Sequence, residues 1–381
     1  MTDDPAIAPT THVAVKREGD RVWLEGAKEL FRQHFADSRN GRTTPWAERS
    51  DTYMYLTQMR IAGWDIDYAD LITLAGYGPS FAYAPRPSDK WMVHYFPPEG
   101  RDERIAHATG CRYRWRQYKD VEEYWQALKR AIDEGQAVHG PNEEDILFIG
   151  YVDAAKPEDR KVMPLAIVFV DDDEWTWEQF KNWHSRGMVS GWFGRIEGRV
   201  EPWPARQSAV EVLGTMVRVA NGDDSRRKPN DGVVWGIAGV EAYAADLADM
   251  SKSGAVEDKG GYFQGGWRGC HNVYPQMSGR PAAAAYLKRV APSFEGDAQM
   301  HLLAAAAEYE KAAEAWRSFT GQLGRDTQGV AHVEHGVAWT TGTYRKAGAA
   351  AVTQAARHER AAVAALAEAL AAIGSSSTSR G

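Results

Sequence analysis

The chain has 381 residues, which is long enough to build a large hydrophobic core as one elaborate domain or as two. Its hydrophobic share of 44% and charged share of 25% are ordinary for a globular protein. A formal net charge of −7 at pH 7 leaves no basic footprint, which argues against nucleic acid and anionic membranes as partners. No apolar run approaches the roughly 18–20 residues that span a bilayer.

The N-terminus is acidic and lacks the charged-then-apolar pattern of a secretory signal, so a cytoplasmic protein is expected. The two cysteines, Cys111 and Cys270, match no metal or redox spacing, and free thiols in a reducing compartment are expected. We expect no cofactor and no bound metal. Residues 1–12 and 374–381 are small and polar, which predicts flexible tails.

The stretch from Thr52 to Phe81 predicts a helix that ends at Gly63, an acidic aromatic connector, a short second helix and a glycine-rich loop. Further on, Val121–Glu134 is amphipathic, and Gly135 follows it as a capping residue. Ile146–Val152 and Leu165–Val170 read as buried strands joined through a polar loop, which predicts an antiparallel pair with a helix packed on it.

Another helix is expected at Thr176–Arg186, after a run of acids that suits a helix N-terminus. Beyond residue 205, helical patterns dominate and alanine rises sharply. The predicted helices lie near Gln207–Ala220, Val234–Asp249, Arg280–Val290, Gln299–Gln322 and Tyr344–Ile373. The composition therefore divides the chain into an α+β domain over residues 13–204 and a helical domain over residues 205–373.

The order of several motifs resembles one family. The entry segment DRVWLEGAKELF, the helix ending at Gly63 with its glycine-rich loop, and the block from Gly135 to Asp153 are similar to the N-terminal domain family of butirosin biosynthesis protein H. The later segments GVEAYAADL and RPAAAAYL resemble further parts of that family, so the likeness spans roughly residues 20–370. The resemblance implies a papain-like, cysteine-peptidase-like fold with antiparallel strands and a helical C-terminal half.

In that family a cysteine thiolate at a helix N-terminus performs acyl transfer or amide chemistry, because the helix dipole lowers the thiol pKa and a histidine accepts the proton. Counting back from Gly63, the resemblance places the nucleophile near Met54, or near Ser50 if the helix starts earlier. Neither residue is a cysteine, and Ser50 equally suits a helix N-cap. His139 is the nearby candidate for the histidine that accepts the proton in that family.

Other candidate catalytic groups follow from the residues themselves. Cys270 and His271 stand side by side in a glycine-rich segment, although adjacent side chains seldom point at each other. Glu144 precedes a buried strand and is a candidate general base, with a solvated turn as the alternative. Asp153 ends that strand at the place where the resemblance implies an acidic residue, and it either orients a histidine or closes a hairpin turn.

Fifteen tryptophans and sixteen tyrosines fit either core anchors or an aromatic-walled cleft for a flat or cationic ligand. The predicted substrate-binding residues are Tyr53, Met54, Trp91, His139, Glu143, Tyr151, Asn272 and Arg280. His332 and His335 form an H-x-x-H that would bind a metal if it lay on a helix, whereas a loop pair is the simpler interpretation.

The sequence therefore favours an enzyme for a small amino-acid-like or amine-bearing metabolite, using acyl-transfer or amide-type chemistry without the usual cysteine. A catalytically silent ligand-binding homologue is the alternative, and a metal-dependent enzyme using His332 and His335 is a second one. The expected partner is a small molecule of bacterial natural-product biosynthesis, and a homodimer is compatible with the sequence.

Overall fold

The computed structural model describes residues 13–32, 50–83, 98–141, 145–166, 174–186, 190–223, 232–252, 274–322 and 342–378. These residues form two compact units. The first unit takes its described residues from 13–68 and 105–202, and the second from 69–104 and 203–378. Residues 69–104 thus group with the C-terminal helices, whereas the sequence had assigned all of residues 13–204 to one domain.

The first unit is built on an antiparallel sheet. Within the described residues it has eight strands, with the order β1-β2-β6-β5-β9-β4 and with β7 joining β6 to β8. The strands are β1 (Ala14–Glu18), β2 (Arg21–Glu25), β4 (Cys111–Gln117), β5 (Val138–Gly140), β6 (Ile146–Val152), β7 (Lys161–Ala166), β8 (Trp175–Thr176) and β9 (Trp192–Arg199).

Helices pack on this sheet. The first unit contains α1 (Ser50–Ile61), α4 (Val121–Asp133) and α5 (Trp177–Ser185), and residues 27–32 are also helical. Two short helices, α2 (Tyr68–Leu74) and α3 (Arg101–Thr109), contain points where the chain passes between units. The mixture of helices with antiparallel strands agrees with the α+β class expected from the sequence.

Local sequence explains the ends of α4. The Asp120 carboxylate accepts hydrogen bonds from the backbone N–H groups of Glu122 and Glu123, which satisfies two donors at the helix start. Gly135 follows the helix with a φ of 81°, a left-handed conformation that glycine adopts without steric cost. The buried face of α4 carries Tyr124 and Trp125, which contact aromatic rings of α5.

The second unit is mainly helical. Its helices are α6 (Ala205–Ala220), α7 (Gly236–Ala248), α8 (Tyr274–Val290), α9 (Gly296–Gln322) and α10 (Gly342–Thr378), and β3 (Ala82–Tyr83) pairs with β10 (Val234–Trp235). In α9 an apolar stripe recurs at helical spacing and is buried except for Leu303, which is 45% exposed; its members are Leu302, Leu303, Ala306, Tyr309, Ala313, Trp316 and Phe319. The helical C-terminal half expected from the sequence is confirmed.

Two boundaries differ from the sequence prediction. The last helix continues through Gly374 to Thr378, where a flexible tail was expected, and the Ser375 hydroxyl donates to the carbonyl of Ala372 within it. Strand β7 begins at Lys161, four residues earlier than expected, because residues 161–166 pair along β6. Its predicted continuation over 167–170 lies outside the described residues.

A buried ion pair joins α8 to α10. The guanidinium of Arg280 is 0% exposed, and Glu359 is 1% exposed. Arg280 Nε and Nη2 donate to the two carboxylate oxygens of Glu359 at 2.8 and 2.6 Å, and further N–H groups donate to the carbonyls of Gly78, Pro79 and Ser80. Trp316 Nε1 also donates to Glu359, at 2.8 Å.

These contacts use the five N–H groups of the guanidinium inside the protein. Arg280 is therefore a structural residue that holds the 78–80 loop to two helices, rather than the substrate-binding residue predicted from the sequence.

No helix among the described residues is both long enough and apolar enough to cross a membrane.

Removing one partner of this pair leaves an uncompensated buried charge. We expect Glu359→Ala to lower the free energy of unfolding by about 3–5 kcal/mol. The matched control is Glu310→Ala, because Glu310 pairs with Lys288 at the surface and should cost less than about 1 kcal/mol. Urea denaturation measures both, and equal losses would contradict the structural role of Glu359.

Candidate functional site

A histidine–carboxylate pair lies inside the first unit. His139 is the central residue of β5 and is 0% exposed, and its Nε2 lies 2.8 Å from Oδ1 of Asp145. Antiparallel pairing sets Gly140 opposite Ile146, so Asp145 stands just before β6 and beside the end of β5. The strand connection therefore brings the two side chains together over six residues.

The other ring nitrogen of His139 contacts a tyrosine from β4. Tyr113 Oη lies 3.2 Å from His139 Nδ1, and the same hydroxyl lies 2.8 Å from Oε1 of Gln58 on α1. The amide nitrogen of Gln58 donates to the carbonyls of Ala137 and Gly194, at 2.8 and 3.1 Å. One network thus connects α1 with three strands.

Close packing surrounds this network. The rings of Trp115 and His139 have centroids 5.0 Å apart, and Tyr55 stacks on Tyr113 at 4.2 Å. A Cβ at Gly194 would lie 2.4 Å from Tyr113 Oη and 2.8 Å from the Trp115 ring, so a glycine is required for these side chains to approach the strand. The arrangement suits proton transfer between Asp145, His139 and Tyr113.

Asp153, which the sequence offered either as the carboxylate that orients a histidine or as a turn residue, does not contact His139. It follows β6 at the opposite end of the strand from Asp145, roughly 25 Å away for an extended chain. Its carboxylate pairs with Lys129, and its backbone N–H donates to the carbonyl of Asp20. Asp145 is the carboxylate that orients His139.

Three predicted substrate-binding residues are core residues. Met54 is 0% exposed within the hydrophobic core. Tyr53 is also 0% exposed, and its hydroxyl donates to the carbonyl of Phe31 at 2.5 Å. Tyr151 is 3% exposed and donates to Asp133 at 2.7 Å, while burial raises the pKa of its hydroxyl. These side chains anchor the core, so their assignment as ligand contacts is corrected.

Several predicted site residues lie outside the described residues. Ser50 is the first residue of α1, but its side chain is among those not described. The other predicted site residues that lie outside the described residues are Trp91, Glu143, Glu144, Cys270, His271, Asn272, His332 and His335. Within the part of the chain that the structure describes, no group of three or more histidine, cysteine and acidic residues could hold a metal ion.

A cleft with a volume of about 490 Å³ opens beside β2, β6 and β7. Trp23 on β2 and Met163 on β7 line the cleft. Gly150 on β6 lies between them and pairs with both residues. A Cβ at Gly150 would lie 2.5 Å from Met163 Sδ and 2.9 Å from Trp23 Cβ, so only glycine permits this approach. The register of β6 and β7 shifts at Ile149, which also lines the cleft, and such bulges re-aim side chains.

Charged side chains line the same cleft with an excess of carboxylates. The acids are Glu18, Glu25, Glu29 and Glu174, and the bases are Arg21 and Lys28. Arg21 pairs with Glu174 at 2.8 Å and lies 5.8 Å above the Trp23 ring. Glu25 pairs with Lys16 at 3.2 Å. Among the described residues, Glu18 and Glu29 have no ion-pair partner, so a cationic ligand would complete the charge balance.

Comparison with models of known protein families and with curated protein sequences finds no match for this chain. Sequence reasoning missed Gln58 and Tyr113, and among the acidic residues before β6 it chose Glu143 and Glu144 rather than Asp145. For Gln58 the sequence shows one polar amide in a helix whose other residues are mostly buried. Tyr113 and Asp145 lie 26 and six positions from His139 along the chain.

Gln58 should support the stability of the first unit through its three hydrogen bonds. Gln58→Ala leaves two carbonyls and the Tyr113 hydroxyl without this partner, and we expect a loss of about 3 kcal/mol or more. Gln126→Ala is the control, because within the described residues the side chain of Gln126 on α4 makes one hydrogen bond, to the exposed Glu122. Chemical denaturation of both variants tests this, and similar small losses would rule out the structural importance of Gln58.

Proposed function

We propose that this chain is a papain-like protein that acts on a small amine-bearing or amino-acid-like metabolite. His139 and Asp145 serve as the acid–base pair of an acyl-transfer or amide-type reaction that uses no cysteine of α1. The observation that carries the proposal is the order of α1, a histidine on β5 and a carboxylate before β6. A helix followed by a histidine strand agrees with the papain-like arrangement that the sequence resemblance implies, whereas the orienting carboxylate comes before β6 rather than at Asp153.

The ligand class rests on the cleft. Trp23 presents an aromatic face that already holds the Arg21 guanidinium, and a ligand ammonium group is attracted by the same ring quadrupole. The carboxylates of Glu18 and Glu29 supply the negative charge that a cationic ligand requires. Ile149, which lines the cleft, lies two residues along β6 from Leu147, a spacing of roughly 7 Å. Leu147 in turn pairs with His139 on β5.

Turnover should depend on Asp145 and be independent of Asp153. With an activated ester such as p-nitrophenyl acetate as probe, we expect Asp145→Asn to lower kcat/KM by about 10²-fold, since general acid–base groups contribute 10²–10⁴-fold. Asp153→Asn is the matched control, because that carboxylate pairs with Lys129 at the other end of β6. Equal activity of the two variants would reject the catalytic role of the His139–Asp145 pair.

The reaction should proceed without a thiol. Cys111 is 0% exposed, so iodoacetamide should label it slowly in the folded protein. We expect Cys270→Ser to retain wild-type turnover of the ester. Peptide mass spectrometry after timed labelling measures the reactivity of each cysteine. Rapid labelling of Cys270 accompanied by loss of turnover would contradict a cysteine-free reaction.

A catalytically silent ligand-binding protein is the second candidate. One observation favours it: His139 is fully buried, and both its ring nitrogens already contact protein side chains. This candidate predicts amine binding at the cleft with no turnover above background.

Amine binding can be measured without any reaction. We expect a panel of primary amines and amino acids to raise the melting temperature of the wild-type protein, and Trp23→Ala to abolish that shift by removing the aromatic face. Trp203→Ala is the control, because Trp203 is an exposed tryptophan of the second unit. If Trp23→Ala retains the full shift, the cleft is not the amine site.

A further inference from the structure

The network of Gln58, Tyr113, His139 and Asp145 requires a particular number of hydrogen atoms. The amide orientation of Gln58 is fixed, because its nitrogen faces two carbonyl oxygens and must be the donor to both. Oε1 of Gln58 is therefore an acceptor that faces the Tyr113 hydroxyl at 2.8 Å. A tyrosine hydroxyl has one hydrogen, and this contact uses it.

The contact between Tyr113 and His139 then needs its hydrogen from the histidine. Since the Tyr113 hydrogen points to Gln58, the imidazole Nδ1 must carry the hydrogen that lies between Nδ1 and Oη. On the other side of the ring, Nε2 faces the Asp145 carboxylate at 2.8 Å. An ionised carboxylate is an acceptor only, so the hydrogen between the two groups is donated by Nε2.

We infer that Gln58 and Tyr113 are positioning residues that hold His139 as a doubly protonated imidazolium, so that the resting site is a proton donor rather than a base. A neutral imidazole would have one hydrogen fewer. One of the three side-chain contacts in the network would then join two acceptors without a hydrogen, inside a region where unsatisfied polar groups are costly.

The surroundings of the ring agree with a positive charge. The Trp115 ring centroid is 5.0 Å from that of His139, which is within the range of a cation–π contact. The Asp145 carboxylate is 8% exposed, and a buried carboxylate is stabilised by an adjacent cation. Tyr113 and Trp115 from β4, Gln58 from α1 and Asp145 before β6 are the polar and aromatic groups that the described elements direct at His139.

The inference deepens the proposed function and rests on it for its catalytic meaning, since it assigns His139 the role of general acid. A proton that leaves Nδ1 would pass through the Tyr113 hydroxyl. Oη would accept the Nδ1 hydrogen as it passes its own hydrogen to the leaving-group atom of the substrate, which leaves a neutral imidazole, an intact tyrosine hydroxyl and a Gln58 Oε1 without its donor. The network thus delivers one proton and is restored when one proton returns.

The protonation of His139 is directly measurable in the full chain without substrate. In protein selectively labelled with ¹⁵N-histidine, long-range ¹H–¹⁵N spectra at neutral pH should show both ring nitrogens of His139 in the range of protonated nitrogens. A ring with one protonated and one unprotonated nitrogen would overturn the inference. Because no turnover is required, this result and the Asp145→Asn kinetics can fail independently of each other.

Two variants should change the spectrum in the same direction. Tyr113→Phe removes the acceptor of the Nδ1 hydrogen, and Gln58→Met frees the Tyr113 hydrogen to donate to Nδ1. Both should leave His139 neutral, with its hydrogen on Nε2. A role for these residues in folding alone would not move the hydrogen, so unchanged nitrogen shifts in the two folded variants would also count against the inference.

Tyr124→Phe is the control for removal of a buried hydroxyl. Tyr124 is 0% exposed on α4, and within the described structure its hydroxyl has no hydrogen-bond partner. Burial raises the pKa of that hydroxyl well above its usual value. The variant should keep both His139 nitrogens protonated, and a loss of the Nδ1 hydrogen here would show that the effect is not specific to Tyr113.

Discussion

The side-chain amide of Gln58 is the constraint on which the first unit depends. A buried amide is costly unless its donors and acceptor are all paired, and this one pairs with the carbonyl of Ala137 just before β5, with the carbonyl of Gly194 on β9 and with a tyrosine. Sliding α1 by one residue or rotating it by a fraction of a turn would break these bonds together. The position of α1 over β5 and β9 is therefore fixed by polar satisfaction as well as by apolar packing, and Tyr113 is held beside His139 as a result.

Secondary structure was the part that the sequence predicted best. Strand β6 has the predicted bounds, and α4 differs by one residue, because a buried apolar run and a 3.6-residue periodicity each reflect one local burial pattern. Leu303 shows the limit of that argument. It belongs to the apolar stripe by spacing, yet it is 45% exposed, since the face that α9 buries is decided by the helices packed on it.

The site was harder to predict, because its contacts join residues far apart in the chain. Gln58 and Tyr113 are separated by 55 positions, and no local pattern marks either as a partner of His139. Two acidic residues flank β6 directly, and the sequence offered Asp153 as one that could orient a histidine or close a turn. The register of β5 against β6 decides for Asp145, and register depends on pairing between strands rather than on the composition of either.

Arg280 and His139 are both buried polar residues that the sequence marked for a ligand, and their networks differ in one physical respect. The guanidinium of Arg280 is always charged, and its N–H groups are used in bonds that no proton movement alters. Such a network stabilises one structure. The His139 network is complete only when the imidazole carries an exchangeable proton. A buried network whose hydrogen bonding depends on one proton can donate and recover that proton, and this dependence distinguishes a candidate reaction centre from a structural ion pair.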